Sequence, residues 1–168
     1  MRPDALERVI AATASDVLRY FERRLPERAD AADCLSEVLL VLWRDRDRVP
    51  DDPHEARLWM FGIARTTLTA TRRIAARRAA EVERLRLALD TVVHPETTSA
   101  TDLTLDVRSA IAALPAAQRE VVQLHHWEGL PLVDIANVVG VPASTVRSRY
   151  AAARLALATA LSAHQVDA

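Results

Sequence analysis

The chain has 168 residues, half of them apolar, a net charge of −1 and one cysteine, Cys34. Its length suits one domain or two small ones, and a lone cysteine excludes an intramolecular disulfide and any cysteine-rich zinc site. Alanine is abundant, only three glycines occur and all 22 basic residues are arginine, a composition for helices rather than sheets. No apolar run nears the roughly 20 residues needed to span a bilayer. The N-terminus, MRPDALERVI, lacks a signal-peptide core, so a cytoplasmic location is expected.

Charge is unevenly distributed. Glu27 to Glu55 holds nine acidic residues against four arginines, Arg57 to Arg86 holds eight arginines against two acids, and Asp90 to Asp106 holds four acids and no arginine. A protein that binds duplex DNA unaided is usually basic, because phosphate neutralisation and counterion release supply its affinity. A chain divided in this way suits two surfaces, one for nucleic acid and one for a basic partner.

Residues 4–25 read as a first helix, with Leu6, Val9, Ile10, Val17, Leu18, Phe21 and Leu25 on a broad apolar face and Pro26 ending it. A second helix is expected from about Ala31 to Arg46, with Asp30 or Asp33 as N-cap. Leu35, Val38, Leu39, Leu42 and Trp43 form its buried stripe. Asp30, Asp33 and Glu37 lie on or near its opposite face, where the helix dipole favours acids whatever their role. The segment RDRDRVPDDPHEA has two prolines and no apolar period, hence a loop.

From Glu55 a helix is expected to run to about Leu89, with Met60, Ile63, Ala64 and Leu68 facing the core. Trp59 and Phe61 sit near its start, and Arg65, Arg72, Arg73, Arg77 and Arg78 follow with no acid between them. Single-stranded nucleic acid requires such a set: π faces for unstacked bases and cations for the backbone. The same residues also fit a bland alternative, an aromatic core pair beside solvated arginines.

Between about Thr91 and Asp102 the apolar period is lost, and this stretch reads as a linker. Beyond it, Leu105, Val107, Ile111 and Leu114 suggest a helix stopped by Pro115. Ala116 to Trp127 suggests another, with Val121, Val122 and Leu124 inside and Gly129 closing it. Leu132, Ile135, Ala136 and Val139 then form an apolar stripe about two turns long, followed by Gly140, the residue type that ends helices in a left-handed conformation. After Val141-Pro142, a second stripe is made by Val146, Tyr150, Ala153 and Leu157. Small Ala136 allows a close crossing, so the pair reads as a helix-turn-helix, whose second helix usually enters the DNA major groove.

At 100° per residue, an inward Val146, Tyr150, Ala153 and Leu157 turns Ser144, Arg147, Ser148 and Ala151 outward. Thr145 and Arg149 fall on the flank, better placed for phosphates than for base edges. Arg147 is the residue whose planar fork fits guanine O6 and N7. An ordinary helical hairpin with a solvated arginine face is the competing reading.

No glycine-rich phosphate loop, zinc-protease histidine pair or serine nucleophile elbow appears, and no catalytic, cofactor or metal residue is expected. His125 and His126 are adjacent and diverge by about 100° on a helix, so they do not jointly face a metal. His54, His94 and His164 fall in loop, linker and tail. Cys34 lies on the acidic helix, a poor setting for a reactive thiolate.

Three stretches together resemble the extracytoplasmic-function (ECF) sigma factors of bacterial RNA polymerase. DAADCLSEVLLVLWRDRD resembles the family's polymerase clamp-binding helix, with Ala32 where a DAED-like motif usually has glutamate. EARLWMFGIARTTLTATRR resembles the promoter-melting segment, with Gly62 and Thr66 where arginine and asparagine are often found. ALPAAQREVVQLHHWEGLPLVDIANVVGVPASTVRSRYAAARLAL resembles the promoter-recognition domain, with Ala151 and Ala152 where larger or basic residues are common.

The resemblance implies an all-α protein of two small domains: residues 1–90 for polymerase binding and melting, 91–102 as linker, and 103–168 for promoter recognition. It implies that Asp30, Asp33 and Glu37 meet a basic coiled coil of core RNA polymerase. It further implies that Trp59, Phe61, Arg65, Thr66, Arg72, Arg73 and Arg77 recognise and open the −10 element, and that Ser144, Thr145, Arg147, Ser148, Arg149 and Ala151 read the −35 element. Promoter DNA and an anti-sigma factor are further implied partners. The alternative is a stand-alone helix-turn-helix regulator, which leaves residues 27–78 without a role.

Overall fold

Helix α3, Pro53–Ala88, begins where chemistry favours a start: Asp52 accepts the Glu55 backbone N–H through Oδ1 at 2.9 Å, and Pro53 takes the first helical position. It is one of seven α-helices among residues 3–88 and 103–166, which the computed structural model describes, with side-chain surroundings given for residues 6–87 and 107–162. The expected linker, and the side chains of Leu105, His94 and His164, lie outside these residues. No strand occurs among the described residues, and the chain divides into two compact units, residues 1–94 and 95–168.

The first unit packs α1 (Pro3–Glu22), α2 (Arg28–Arg44) and the N-terminal half of α3 against one another, with a 3-10 turn at Arg46–Arg48 between α2 and α3. Its core takes Leu6, Val9, Val17, Tyr20 and Phe21 from α1, Ala31, Cys34, Val38 and Leu42 from α2, and Ala56, Met60, Phe61, Ala64 and Leu68 from α3. Tyr20 meets Phe21 and Phe61 edge-on, at centroid separations of 5.4 and 5.9 Å. The Arg24 guanidinium lies 3.9 Å above the Tyr20 ring and its Nη1 donates to the Tyr20 carbonyl at 2.9 Å.

Several helix ends differ from expectation. α1 stops at Glu22 rather than Leu25: Arg24 and Leu25 both donate their backbone N–H to the Phe21 carbonyl, tightening the last turn ahead of Pro26. α2 starts at Arg28, three residues early, with Glu27 as N-cap and Asp30 inside the first turn, so neither Asp30 nor Asp33 caps it. Trp43 is not in the buried stripe. It is 62 % exposed, because the arc that α1 and α3 cover takes in Val38 and Leu42 but ends short of it.

Beyond Thr71 every residue of α3 through Leu87 is exposed. Ala75, Ala76, Ala79, Ala80 and their arginine and glutamate neighbours are strong helix formers, so the helix continues without packing. Its core-facing side continues as Ile74, Val82 and Leu85, all exposed.

The second unit holds α4 (Leu103–Ala113), α5 (Ala116–His126), α6 (Leu132–Val139) and α7 (Ala143–Val166). Val121, Val122 and Leu124 of α5, Ile135, Ala136 and Val138 of α6, and Val146 and Ala153 of α7 are buried. Tyr150 and Leu157 pack against Leu114, Val122 and Ala153, so the expected inward stripe of α7 is the one observed. On α6 the buried face is turned slightly from the expected stripe, with Val138 buried and Leu132 and Val139 half-buried. On α4, Val107 is exposed.

Gly140 ends α6 at φ +74°, and it and Val141 both donate to the Ala136 carbonyl, at 2.9 and 3.2 Å. A Cβ there would meet nothing within 4 Å, so the cost of a side chain is conformational. Gly140→Ala is expected to destabilise by about 1–2 kcal/mol, the penalty of left-handed backbone for an L-residue. Gly62, inside α3 and equally unobstructed, is the opposite case. Gly62→Ala is expected to stabilise by about 1 kcal/mol. Chemical-denaturation midpoints of the two variants check both signs.

Candidate nucleic-acid interface

The helix-turn-helix places the outward face of α7 as its sequence implies. Val146 and Ala153 are fully buried, while Ser144, Arg147, Ser148 and Ala151 are exposed and Thr145 and Arg149 half-buried on the flank. Ser148 Oγ donates to the Thr145 carbonyl at 3.0 Å, leaving its lone pairs outward. Arg154 extends this face: seven residues after Arg147, it returns to within about 20° of it. It is exposed.

On α3 the seven expected residues do not share a face. Trp59 is half-buried, and Thr66, Arg73 and Arg77 are exposed; steps of seven, fourteen and eighteen residues keep these four within about 40° of one another. Arg84, twenty-five residues after Trp59, continues the same line, and Glu81, four residues after Arg77, stands about 40° to its side. Arg65 and Arg72 fall about 120–140° away. Arg72 Nη2 donates to the Arg24 carbonyl at 3.1 Å, sealing the end of α1.

Phe61 is a correction. It is 0 % exposed, packed edge-on to Tyr20 with the Arg57 guanidinium 5.0 Å from its ring centre, and offers no face to a base. Two residues from Trp59, it points nearly the opposite way around the helix. Arg57 is itself held by Asp16, at 3.3 Å.

The acidic face of α2 is intact: Asp30, Asp33 and Glu37 are all exposed. Leu40, 63 % exposed, follows Asp33 by seven residues and so lies almost in line with it. Trp43 flanks the line. The face is therefore acidic and apolar together, which the sequence reading missed by assigning Trp43 to the core.

At the end of α5, the His125 ring nitrogen Nδ1 is 2.8 Å from the Leu130 carbonyl, and His126 Nε2 is 3.1 Å from the Tyr150 hydroxyl on α7. Both imidazoles also contact the Tyr150 ring, at centroid distances of 5.0 and 5.9 Å. Partial desolvation where the largely exposed ring packs on Tyr150, then the neighbouring His125 and Arg154, push the His126 pKa below its ordinary 6.5. A depressed folded-state value means the unfolded chain binds the proton more readily. The stabilisation is therefore complete above about pH 6.5 and is lost as pH falls below it. The melting temperature is expected to drop between neutral pH and about pH 5.5 by more in the parent than in His126→Gln; parallel curves would refute this.

Comparison with known proteins follows the same division. Residues 9–78 match sigma-70 region 2 and residues 104–157 match sigma-70 region 4. The ECF RNA polymerase sigma factor SigL of Mycobacterium tuberculosis is 30 % identical over 141 residues, 81 % of this chain and 77 % of that protein. ECF sigma factor SigC of the same species is 36 % identical over 160 residues, 91 % of this chain and 81 % of that one. The sigma factor RpoE of Bartonella quintana, solved with the anti-sigma factor NepR, shares the fold at a TM-score of 0.67 and 21 % identity, over 93 % of this chain and 96 % of that one. A helical unit of region 2 followed by a helix-turn-helix unit of region 4 defines a sigma-70-type initiation factor. More narrowly, this chain belongs to the ECF sigma factors, which direct RNA polymerase to promoters.

Proposed function

We propose that the three faces divide the work of initiation. Asp30, Asp33 and Glu37 engage a basic surface of core RNA polymerase, with Leu40 and Trp43 adding apolar contact. Trp59, Thr66, Arg73 and Arg77 hold the −10 strand once it is unpaired, Trp59 by stacking and the arginines by pairing with phosphates. Arg65 lies off that line, and Arg72 acts by fixing α3 to the end of α1. Ser144, Arg147, Ser148 and Ala151 face the −35 duplex, with Thr145 and Arg149 on its phosphates. Residues 1–90 and 103–168 act as the two functional domains, with 91–102 between them. The chain works in the cytoplasm as a non-catalytic subunit.

The observation that supports this best is the sorting of charge by helix face, acidic on α2, mainly arginine along the Trp59 to Arg84 side of α3, and arginine without carboxylate on α7. The stand-alone regulator is disfavoured, because the region 2 match spans residues 9–78. RpoE is found bound to the anti-sigma factor NepR and CnrH to the cytosolic domain of CnrY, and an anti-sigma partner suits this chain too.

Photo-crosslinking tests the assignment. With a crosslinking residue at Ala70 or Ala151 in the holoenzyme, the first is expected to label the −10 region and the second the −35 region. Exchange of the two patterns, or labelling of neither, would overturn it. Arg147→Ala is expected to cost about 1–3 kcal/mol of discrimination at a single −35 base pair. A uniform loss across sequences would reassign Arg147 to phosphate.

A further inference from the structure

The His126–Tyr150 pair at the junction of α5 and α7 is not used by the faces described above. His126 is exposed at the last turn of α5, and its Nε2 meets the Tyr150 hydroxyl at 3.1 Å. Arg154, four residues after Tyr150, is its neighbour on the surface of α7. Arg154 also lies on the Arg147 line, so the cluster borders the proposed DNA-facing side of the helix. Tyr150 is doubly constrained, by its packing on Leu114, Val122 and Ala153 and by its ring contact with His125. His125 is in turn fixed by the Leu130 carbonyl.

We propose that His126, hydrogen-bonded to the Tyr150 hydroxyl, and the nearby Arg154 form a phosphate-binding edge beside the recognition face of α7, and that its grip on the DNA backbone tightens when His126 takes up a proton. The inference rests on the reading of α7 as the DNA-facing helix. Neutral His126, hydrogen-bonded through Nε2 to the Tyr150 hydroxyl, offers a phosphate no charge. Protonated His126 adds a second cation beside Arg154, and a phosphate supplies the opposite charge that offsets the desolvation and the repulsion from His125 and Arg154 that disfavour that cation in free protein. By linkage, a proton bound more tightly in the complex makes the complex tighter at lower pH.

The surrounding charges are consistent with this sign. On α7 the titratable or charged groups within the described side chains are Arg147, Arg149, Tyr150 and Arg154, and on α6 there is Asp134, which is buried. α5 itself carries Arg119, Glu120 and His125, and buried Glu128 follows it. Desolvation disfavours the His126 cation most; of these groups His125 and Arg154 also act against it, and no carboxylate acts in its favour. Phosphate is the counter-charge that the cluster lacks.

The test uses holoenzyme assembled from the full chain and core polymerase, on a duplex selected from a promoter library at neutral pH. Promoter affinity is measured at about pH 6 and pH 8 for the parent, His126→Gln and His126→Lys, with the comparison to His126→Gln cancelling the pH dependence of the core enzyme. The parent's advantage over His126→Gln is expected to grow by about three- to tenfold at the lower pH, where protonation of His126 is coupled to binding. His126→Lys, charged at both values, is expected to remove that extra pH dependence, and Arg154→Gln to weaken binding at both. Melting curves exclude loss of folding as the cause. An equal parent-to-His126→Gln ratio at both pH values would overturn the phosphate edge while leaving the DNA-facing role of α7 standing. Failure of the parent to select any duplex would remove both.

Discussion

Phe61→Ala is expected to destabilise the N-terminal unit by about 3–5 kcal/mol, whereas Trp59→Ala, two residues away, is expected to leave folding nearly intact and depress promoter opening. Phe61 has no exposed surface and fills the space between Tyr20 and the Arg57 guanidinium. Removing its ring leaves a cavity among side chains that helices α1 and α3 hold in place, and the loss is a large part of a typical domain's stability. Trp59 is half-buried and begins the line that runs through Thr66, Arg73 and Arg77. Loss of one base stack costs about 1–3 kcal/mol, read as a lower yield of open complex at unchanged polymerase affinity. Unfolding curves and permanganate reactivity of the −10 thymines separate the two effects. Equal destabilisation by both variants would place Trp59 in the core; normal stability of Phe61→Ala would contradict its packing.

Asp33→Arg is expected to weaken binding to core polymerase by about 2–5 kcal/mol, roughly thirtyfold or more, with little change in folding. Asp33 is exposed near the centre of the acidic face, so reversing its charge adds repulsion against a basic partner without disturbing a packed contact. Trp43→Ala is expected to act on the same equilibrium with a weaker salt dependence, because an aromatic anchor contributes through desolvated area rather than charge. Fluorescence titration of labelled chain with core enzyme at two salt concentrations distinguishes them. Unaltered affinity of Asp33→Arg would remove α2 from the polymerase interface.

How much of this was legible beforehand follows from the range of the interactions concerned. The helix-turn-helix is encoded locally: Gly140 sets the left-handed end of α6, and the spacing of Val146, Tyr150, Ala153 and Leu157 sets the inward side of α7, so the exposure of Arg147 and Ser148 follows directly. The start of α3 is encoded just as locally, in the Asp52 cap followed by Pro53 at the first helical position, yet reading this segment as loop starts the helix two residues late, at Glu55. The divergence of Trp59 and Phe61 was also contained in the sequence, because residues two apart on a helix lie about 160° apart; chemical type was read there in place of geometry. Trp43 needed more. Its apolar neighbours Leu39 and Leu42 suggest a common face, and only the width of the groove between α1 and α3 leaves it outside. The contact of His126 with Tyr150 joins positions 24 apart through the crossing of α5 on α7, and no local pattern announces it. Family membership was legible for a different reason: three motifs stand in the right order along one chain.

The most direct measurement is in vitro transcription by core polymerase with this chain, on a library of randomised promoters, with sequencing of the transcripts. The expected result is a defined set of start sites sharing −10 and −35 elements, with Arg147→Ala relaxing preference in the −35 element alone. Transcripts no more specific than those of core enzyme by itself would contradict the assignment of promoter recognition to these faces.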